Sequence, residues 1–574
     1  MPFVIKRLDK MKAERKVFLP NLLLAITGGW QMARLRSASL APRTASDLTL
    51  RRILKAAKDT EYGREHHFDE ILRQRGPERL FAAYRKYVPV NDYEDLRPYI
   101  EKHKNGEPDI LIPGKPAMYA TTSGTTNAPK WVPMSKEYLN NVYSKMTKLW
   151  LHNFIRHRRY TFSGAIVFMV SKYHEGNAPD GTIYGSASGF LQNDAPDFIR
   201  QMYASVPEIF EITDYAAKYY TLMRITMGRN VTLFIMPNPS TVLEMQKTVD
   251  EHLDEIIEDI EHGTISEKFE ISSDLRKKLL VKVKPDPERA AELRKLKEKF
   301  GRILPKHYWP HIQTMATWKC GNTKIYVDKF ADWFPTHTFY QELGYFATEC
   351  RFGLCLDESI NTVMFPHFHY YEFVEESELG SDNPHFYNIY ELEYGKRYNA
   401  YVTTLSGLYR YNMNDLIEVG SRFENTPTVH MVQKVNGIVS MTGEKLHEKQ
   451  FVDAVNKAEE LTELKTNFFI GFADVENSRY QFYYEFKDEN VTQEQAEAFT
   501  HAVDKYLQDN NEEYHGKRKS FRLQDPTTDI LVRHAFDKFK KRCIEEGMRD
   551  GQFKLNLLLQ DEKRHAKFKN LVKR

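Results

Sequence analysis

The stretch 121-TTSGTTNAPK-130 is the segment that decides the fold of this chain. It places five hydroxyl side chains, a glycine and the ammonium group of Lys130 within ten residues. Backbone N–H groups in such a loop can surround an anion, and the hydroxyls add donors. Lysine adds a charge suited to phosphate. A Walker A element is excluded because the chain contains no Gly-Lys-Ser/Thr. A Ser/Thr-rich turn is the alternative, but the paired Ser-Gly-Thr-Thr and Pro-Lys favour a phosphate-binding loop.

Two further segments follow the loop in the sequence, 344-GYFATE-349 and 404-TLSGLYRYNMND-415. Glu349 stands between aromatic and cysteine residues, a setting in which an unpaired carboxylate would be costly. A metal ion, hydrogen bonds or a salt bridge to a core arginine would each satisfy it. A carboxylate oxygen is also a suitable hard ligand for Mg²⁺ shared with phosphates.

In this order, the three segments resemble the motifs of adenylate-forming enzymes. The third is similar to the Gly-Leu-Tyr-Arg-Tyr-x-x-Gly-Asp segment of the Gretchen Hagen-3 (auxin-responsive promoter) family of acyl acid amido synthetases. Asn127 and Asn414 stand where the patterns have glycine, and asparagine tolerates positive φ better than most residues. Four shorter segments are also similar to the family: Trp309-Pro310, Pro366 to Phe373, Gly443-Glu444-Lys445-Leu446 and Gly551-Gln552-Phe553-Lys554.

The resemblance implies a role for each candidate site residue. Glu349 would hold Mg²⁺, Asp415 would bind the ribose hydroxyls of ATP, and Lys130 and Lys554 would act in catalysis. Arg410 is equally explained as a structural ion-pair partner of Asp415, and Lys554 has the alternative of a solvated surface lysine. The residues expected to bind the nucleotide are Thr122, Ser123, Gly124, Thr125, Thr126, Tyr345, Thr348, Arg410 and Asp415.

The chain is too long for a single hydrophobic core, since 574 residues exceed the roughly 250–300 at which cores stop growing. The resemblance implies an α/β fold with a large N-terminal adenylate-forming domain, built of mixed sheets covered by helices plus a β-barrel part. A small α+β C-terminal domain would follow on a hinge. We place the two domains at residues 1–432 and 433–574, with the boundary near Val432–Gly437.

Hydrophobic periodicity gives a coarse map of the elements. Helices are predicted from Asp47 to Lys102, from Thr241 to Glu261 and between Ser266 and Phe300. The turn-rich run from Gly420 to Pro427 predicts a linker. Strands are predicted at Ala165–Val170, Val231–Met236, Thr362–Phe373, Tyr398–Leu405, Asn467–Phe472 and Tyr480–Phe486. A further helix is predicted at Thr492–Gln508.

Charge and cysteine content limit the possible partners. Lysine and arginine number 82 against 79 acidic residues, a balance that does not indicate a nucleic-acid-binding protein. Four cysteines are too few for a disulfide scaffold and favour a reducing, cytoplasmic compartment. A zinc site formed by Cys350, Cys355, His367 and His369 is disfavoured against ordinary core and strand residues, because no CxxC accompanies them.

An apolar segment from Val17 to Trp30 follows the basic run Lys6–Lys16. It is shorter than the roughly 20 residues that span a bilayer, so no transmembrane segment is predicted. A buried or interfacial helix is the favoured interpretation. The alternative is a targeting signal that is cleaved near Ser37-Ala38-Ser39. We expect a monomer in the cytoplasm.

The implied reaction starts with the attack of a carboxylate on the α-phosphate of ATP, which gives an acyl-adenylate and pyrophosphate. The reaction would end with transfer of the acyl group to an amine. In the family that the sequence resembles, this amine belongs to an amino acid. One alternative is an acyl-CoA or other thioester-forming ligase. Another is a non-catalytic ATP-binding or interaction protein with the same fold. The aromatic residues of the stretch Tyr326–Tyr345 could line the acyl pocket, although core packing is favoured for most of them.

Overall fold

The computed structural model describes residues 2–121, 130–170, 173–193, 195–320, 324–379, 381–435, 438–439, 444, 446–474, 477–519, 523–546 and 556–573. The chain separates into two compact units. One comprises Met1–Met413 with Glu418–His430, and the other comprises Asn414–Ile417 with Met431–Arg574.

A parallel four-stranded sheet, in the order β3-β6-β7-β8, forms one core of the first unit. The helix α13 has a buried apolar row at the predicted spacing, including Val242, Val249 and Ile256. Phe330 and Phe334 belong to the same core, so core packing is the outcome for these two aromatic residues. The strands are β3 Ala165–Phe168, β6 Val231–Ile235, β7 Thr314–Thr317 and β8 Phe339–Glu342.

Helices surround the sheets of the first unit, as the periodicity predicts for residues 47–102 and 241–300. The helices are α1 Pro2–Leu40, α2 Pro42–Ala57, α3 Glu61–Glu65, α4 Phe68–Leu72, α5 Pro77–Tyr87, α6 Tyr93–Lys104, α7 Lys136–Tyr138, α8 Ser144–His157, α9 Ala187–Asn193, α10 Asp197–Arg200, α11 Pro207–Glu211, α12 Tyr215–Met227, α13 Ser240–His262, α14 Ser273–Leu280, α15 Pro287–Phe300, α16 Pro305–Tyr308 and α17 Lys324–Phe330.

A small sheet in the order β2-β1-β5-β4 carries the phosphate-loop segment. Its strands are β1 Met118–Thr121, β2 Trp131–Met134, β4 Gly176–Asn177 and β5 Ile183–Gly185.

A seven-stranded sheet of the first unit has the order β12-β11-β13-β14-β15-β10-β9. Two sequence-based predictions are wrong here. The predicted strand Thr362–Phe373 is broken by a turn, in which the N–H groups of Phe368 and His369 both donate to the Phe365 carbonyl. The strands are β9 Gly353–Cys355, β10 Thr362–Met364, β11 Tyr370–Glu375, β12 Tyr387–Asn388, β13 Arg397–Thr403, β14 Tyr411–Phe423 and β15 Thr426–Lys434.

The second wrong prediction is the linker from Gly420 to Pro427. These residues form a tight β-hairpin between β14 and β15, because only Glu424 and Asn425 lie outside the two strands. Glu424 adopts a left-handed φ of +54°. The Asn425 N–H donates to the Ser39 carbonyl at 3.0 Å, which fixes the hairpin against the end of α1.

The second unit is an α+β fold with its own aromatic core. Its main sheet has the order β20-β19-β18-β21, with β18 and β19 antiparallel and both outer strands parallel to their neighbours. Thr492 caps α19 by accepting from the Gln495 N–H, as its position before the helix predicts. The elements are β16 Ile438–Val439, β17 Leu446–His447, α18 Glu448–Thr462, β18 Thr466–Asp474, β19 Arg479–Phe486, α19 Gln493–Asn510, α20 Glu512–Lys519, β20 Thr527–Ile530, α21 Ala535–Glu545, β21 Leu558–Leu559 and α22 Glu562–Lys569.

Candidate active site

The predicted phosphate loop connects two paired strands. Thr121 ends β1 and lies opposite Trp131 at the start of β2 in an antiparallel register. The hydroxyl of Thr121 donates to the Gly185 carbonyl at 3.2 Å, which ties the start of the loop to β5. Thr122, Ser123, Gly124, Thr125 and Thr126, together with Asn127, lie outside the described residues.

Lys130 closes the loop and contacts the third motif. Its Nζ donates to the Tyr411 hydroxyl at 3.3 Å and lies 5.7 Å from the centre of the Tyr93 ring. Tyr411 directly follows Arg410 in the motif, so the fold joins the first and third motifs through this lysine. The Lys130 ammonium is half-buried and lies beside the Tyr93 and Tyr411 rings, in a position that suits cation–π attraction.

The second motif forms a tight turn with Thr348 and Glu349 at its tip. Phe346 and Arg351 pair as an antiparallel bridge, and the Ala347 N–H donates to the Cys350 carbonyl at 3.0 Å. Glu349 is half-buried and makes no hydrogen bond or ion pair with any residue that the structure describes. A half-buried carboxylate with no partner among the described residues is a suitable ligand for a hard cation such as Mg²⁺.

Tyr345 is fixed by packing at the base of this turn. Its ring stacks on Phe352 with centroids 4.4 Å apart, and its N–H donates to the Thr362 hydroxyl at 3.1 Å. Gly344 precedes it with a φ of +80°, and a Cβ there would lie 3.1 Å from the Cys355 nitrogen. Glycine is therefore required both for the backbone conformation and for the close approach.

Glu342 is a buried carboxylate that the sequence analysis did not identify. It lies at the carboxyl end of β8 and accepts hydrogen bonds from the N–H groups of Lys319 and Gly344. It thus joins the loop after β7 to the start of the second motif. Burial raises the pKa of Glu342 to about 7. Its position just before Gly344 was the available sequence signal.

The pKa of Glu342 predicts a pH-dependent stability. Because its folded-state pKa of about 7 exceeds the ordinary 4.5, the native state favours the protonated form. The contribution of Glu342 to the unfolding free energy should therefore be fully present below pH 4.5 and be lost as the pH rises through about 7. Glu342→Gln should flatten this part of the profile, as measured by denaturant unfolding at several pH values. An unchanged slope in the variant would contradict this assignment.

Arg410 forms a buried ion pair, but its partner is Glu372 and not Asp415. The Arg410 Nε donates to a Glu372 carboxylate oxygen at 2.9 Å, and Arg85 binds the other oxygen at 2.8 Å. The Arg410 Nη1 also donates to the Val88 carbonyl at 2.9 Å. Arg410 has a left-handed φ of +43°, a strained conformation for a non-glycine residue. These contacts favour a positioning role, with the nucleotide-binding role remaining a prediction.

We expect Arg410→Met to lower the unfolding free energy by about 3–5 kcal/mol, because it leaves part of the Glu372 charge unpaired in the interior. The matched control is Arg397→Met, which breaks an ion pair with Glu418 whose side chains are 33% and 31% exposed. Partly exposed pairs of this kind contribute about 0–1 kcal/mol. Equal stability losses in the two variants, measured by urea unfolding, would contradict a structural role for Arg410.

Asn414 and Asp415 lie on β14. Asn414 has a φ of +53°, so this asparagine adopts the left-handed conformation that the glycine of the family pattern permits. Asp415 is buried, with 1% of its surface exposed. Its predicted contact with the ribose stays a prediction. Lys554 lies outside the described residues.

Arg351 is a second residue that the sequence analysis missed. It is 2% exposed, and its guanidinium carbon lies 5.0 Å from the Trp150 ring centre and 5.5 Å from that of Phe346. Its Nε and Nη1 have no hydrogen-bond partner among the described residues. Burial lowers the pKa of Arg351 to about 10. An arginine two residues after Glu349 was the signal that could have indicated it.

Two of the four residues considered for zinc, His369 and Cys355, have other partners. His369 is buried, and its Nε2 lies 3.2 Å from the Arg351 carbonyl oxygen. The Cys355 thiol contacts the Thr362 hydroxyl at 3.6 Å. None of the four cysteines forms a disulfide in the described part of the chain.

Comparison with solved structures gives the class of the fold. The structure of 2-hydroxyisobutyryl-CoA ligase in the postadenylation state, in complex with 2-HIB-AMP, superimposes with a TM-score of 0.51. It is 12% identical, and the match covers 92% of this chain and 91% of that one. The fold is that of the adenylate-forming enzymes.

The family is shown by sequence. The GH3 family N-terminal domain matches residues 31–339, the central domain matches 362–434 and the C-terminal domain matches 449–563. The chain belongs to the GH3 family. This confirms the predicted family and fold class. It also confirms the predicted enzyme class, an amido synthetase.

Two members of the family illustrate the similarity. Indole-3-acetic acid-amido synthetase GH3.15 of Arabidopsis thaliana is 26% identical over 453 residues, which are 73% of this chain and 72% of that protein. A structure titled GH3.15 acyl acid amido synthetase superimposes with a TM-score of 0.79 at 21% identity, and covers 95% of this chain and 96% of that one.

Proposed function

We propose that this protein couples a carboxylic acid to an amino acid in two steps. A carboxylate oxygen of the acid attacks the α-phosphorus of ATP, and pyrophosphate leaves. The amine nitrogen then attacks the acyl carbon of the adenylate, AMP leaves, and the amine loses a proton. The observation that carries the proposal is the turn in the second motif, which presents Thr348 and Glu349 at its tip, where Glu349 has no partner among the described residues.

The obstacle in the first step is electrostatic, because a carboxylate must approach a polyanion. Lys130, held by Tyr93 and Tyr411, supplies positive charge at the end of the phosphate loop. Mg²⁺ bound by Glu349 would neutralise part of the phosphate charge. The hydroxyls and backbone N–H groups of residues 122–126 would add donors. The carboxylate nucleophile is already ionised, so no general base is needed in this step.

The identity of the acyl acceptor is the more specific part of the proposal. Membership of the GH3 family supports an amino acid amine. Named relatives such as indole-3-acetic acid-amido synthetase GH3.15 form amides. Thioester formation remains the alternative within enzymes, because 2-hydroxyisobutyryl-CoA ligase has the same fold. Cytoplasmic location is supported by the four cysteines, since none of them forms a disulfide in the described part of the chain, and we propose that the protein acts as a monomer.

A screen of carboxylic acids tests the proposal. The protein is incubated with ATP, Mg²⁺, a library of acids and a pool of amino acids, and conjugates are detected by mass. We expect an acid–amino acid amide that depends on ATP. Formation of only a thioester when coenzyme A replaces the amino acids would support the alternative. No conjugate of either kind would contradict ligase activity with the acids tested.

We further propose that Arg351 binds the carboxylate of the acid. A guanidinium that lies between aromatic rings, with two nitrogens lacking a partner among the described residues, can hold a carboxylate through paired hydrogen bonds. The rings of Trp150 and Phe346 would favour an apolar or aromatic acid. In the described part of the chain, no salt bridge pairs Arg351 with a carboxylate, although a buried arginine normally requires an anion.

Arg351→Gln should raise the KM for the acid roughly 10–100-fold, since a hydrogen bond to a charged group contributes about 1.5–3 kcal/mol. The KM for ATP should change much less. The control is Arg276→Gln. The Arg276 guanidinium donates hydrogen bonds to the carbonyls of Ile265 and Phe269, so this substitution should affect stability alone. Steady-state kinetics with each substrate varied in turn decide the point. An unchanged KM for the acid would contradict the proposal.

A cavity of about 440 Å³ lies apart from these residues. None of the predicted site residues lines it; its walls include Ile53, Lys115, Ser135, Glu137, Leu405 and Tyr409. It is therefore not used in the proposed mechanism.

A further inference from the structure

Helix α1 exposes a continuous apolar face to solvent. Its opposite face is buried: Val17 and Leu35 are fully buried, and Leu24 is 2% exposed. The buried side packs closely on α8, since a Cβ at Gly28 would lie 2.3 Å from the His152 Cβ. The exposed side extends over about 18 Å of helix from residue 18 to residue 30. It contains Phe18 at 65% exposure, Leu19 at 60%, Leu22 at 45%, Leu23 at 41%, Ile26 at 62% and Trp30 at 58%.

This density of exposed apolar side chains exceeds what a solvated helix needs. Single exposed apolar residues are ordinary, but a contiguous patch marks an interaction surface. The six residues fall on two adjacent rows of one helix. Within a row they are four or eight positions apart, which follows the helical period, and the two rows are offset by one position. The core of the first unit does not use them, so the face is a candidate interaction surface.

The charge around this face is mainly positive, although Arg36 is paired with Glu424 at 2.8 Å. From Val17 to Leu40, α1 contains Arg34 and Arg36 and no acidic residue. The helix against which it packs, α8, and the turn that follows it also lack acidic residues up to Tyr160. They contain five basic residues: Lys145, Lys148, Arg156, Arg158 and Arg159.

Direct contacts place this positive charge beside the apolar face. The Asn21 side-chain amide donates to the Arg159 carbonyl at 3.0 Å, so the basic turn lies next to the middle of α1. The Arg34 guanidinium lies 4.9 Å from the centre of the Trp30 ring. Residues 6–16, which precede the face in sequence, add six lysines and arginines against Asp9 and Glu14.

We propose that this face of α1 docks on an anionic lipid surface, with the helix lying in the plane of the interface. Apolar burial and attraction to anionic headgroups are the two terms that together give stable interfacial binding. A second copy of the chain is disfavoured as the occupant, because two such faces would bring like charges together. Tryptophan and arginine at the edge of the face suit the headgroup region.

Flotation of the full chain with vesicles tests the proposal. The vesicles contain phosphatidylcholine alone or phosphatidylcholine with phosphatidylserine. We expect binding to the anionic vesicles that weakens with added salt. The variant Phe18→Ser/Ile26→Ser/Trp30→Ser should bind at least about tenfold more weakly, since each buried methylene contributes to the partition. The control variant Val281→Ser/Tyr394→Ser/Leu461→Ser changes exposed apolar residues elsewhere, at 79%, 82% and 64% exposure, and should bind like the unmodified chain.

A second variant tests the charge. Arg156→Gln/Arg159→Gln removes two exposed guanidinium groups and should weaken binding to anionic vesicles roughly tenfold, while thermal unfolding stays unchanged. Absence of binding to anionic vesicles would overturn the proposal, as would equal binding of the face variant. Light scattering that shows a dimer dissociated by the face variant, without vesicle binding, would assign the face to a second copy and also overturn it.

Discussion

Glu349→Gln is expected to slow formation of the acyl-adenylate by roughly 10²–10³-fold while the fold is retained, the range observed when one electrostatic group of an active site is removed. The turn that presents Glu349 is held by backbone contacts of Ala347 and Cys350, which the substitution does not alter. Glutamine preserves the size of the side chain and removes the negative charge that Mg²⁺ would neutralise. The rate should be measured over a series of Mg²⁺ concentrations.

A shift in Mg²⁺ dependence distinguishes metal binding from a structural effect. The variant should need more Mg²⁺ for half-maximal rate, whereas a carboxylate that only stabilises the turn would change the melting temperature and leave the Mg²⁺ dependence as it was. Glu393→Gln, at a site whose side chain is 62% exposed, is the matched control. An unchanged rate and Mg²⁺ dependence in Glu349→Gln would refute the assignment.

Lys554→Ala is expected to slow adenylation by about 10²–10³-fold and to leave the transfer of a supplied acyl-adenylate nearly unchanged. Lys554 lies outside the described residues, and the expectation rests on the Gln-Phe-Lys element at residues 552–554. Negative charge develops at the α-phosphate as the carboxylate attacks and pyrophosphate leaves, so a lysine there stabilises the transition state of the first step. Attack of an amine on the acyl carbon creates less charge at that point.

The two half-reactions are measured separately, adenylation by pyrophosphate release and transfer by conjugate formation from synthetic acyl-adenylate. Lys538→Ala removes an exposed lysine of α21 and serves as the control. Equal loss of both steps with the fold intact would contradict a division of labour between two active states. No loss in either step would identify Lys554 as a surface lysine.

Regular elements with strong periodicity could be predicted from the sequence. The apolar row of α13 and the runs that form β3 and β6 end within one or two residues of the predicted limits, because burial of one face dictates these patterns. The segment from Gly420 to Pro427 was predicted wrongly as a linker. Residues of a tight hairpin have the same composition as a linker, and only pairing with distant strands distinguishes the two.

The site was predictable where a motif fixes local chemistry. The positive φ of Asn414 agrees with the glycine that the family pattern has at that position. Partners distant in sequence were not predictable. Glu372 binds both Arg410 and Arg85, which are 38 and 287 residues away from it in the sequence. Arg351 and Glu342 became candidates only once their burial was known, since burial depends on the whole fold.

The central claim is that this chain makes an acyl-adenylate from ATP. The most direct measurement is exchange of labelled pyrophosphate into ATP in the presence of Mg²⁺ and a pool of carboxylic acids, with hydroxylamine added to trap the activated acyl group. The account predicts exchange that requires the acids and is lost in Glu349→Gln, together with an acyl hydroxamate. Absence of exchange with the folded protein across a broad acid pool, while ATP still binds, would contradict the claim and indicate a non-catalytic ATP-binding protein.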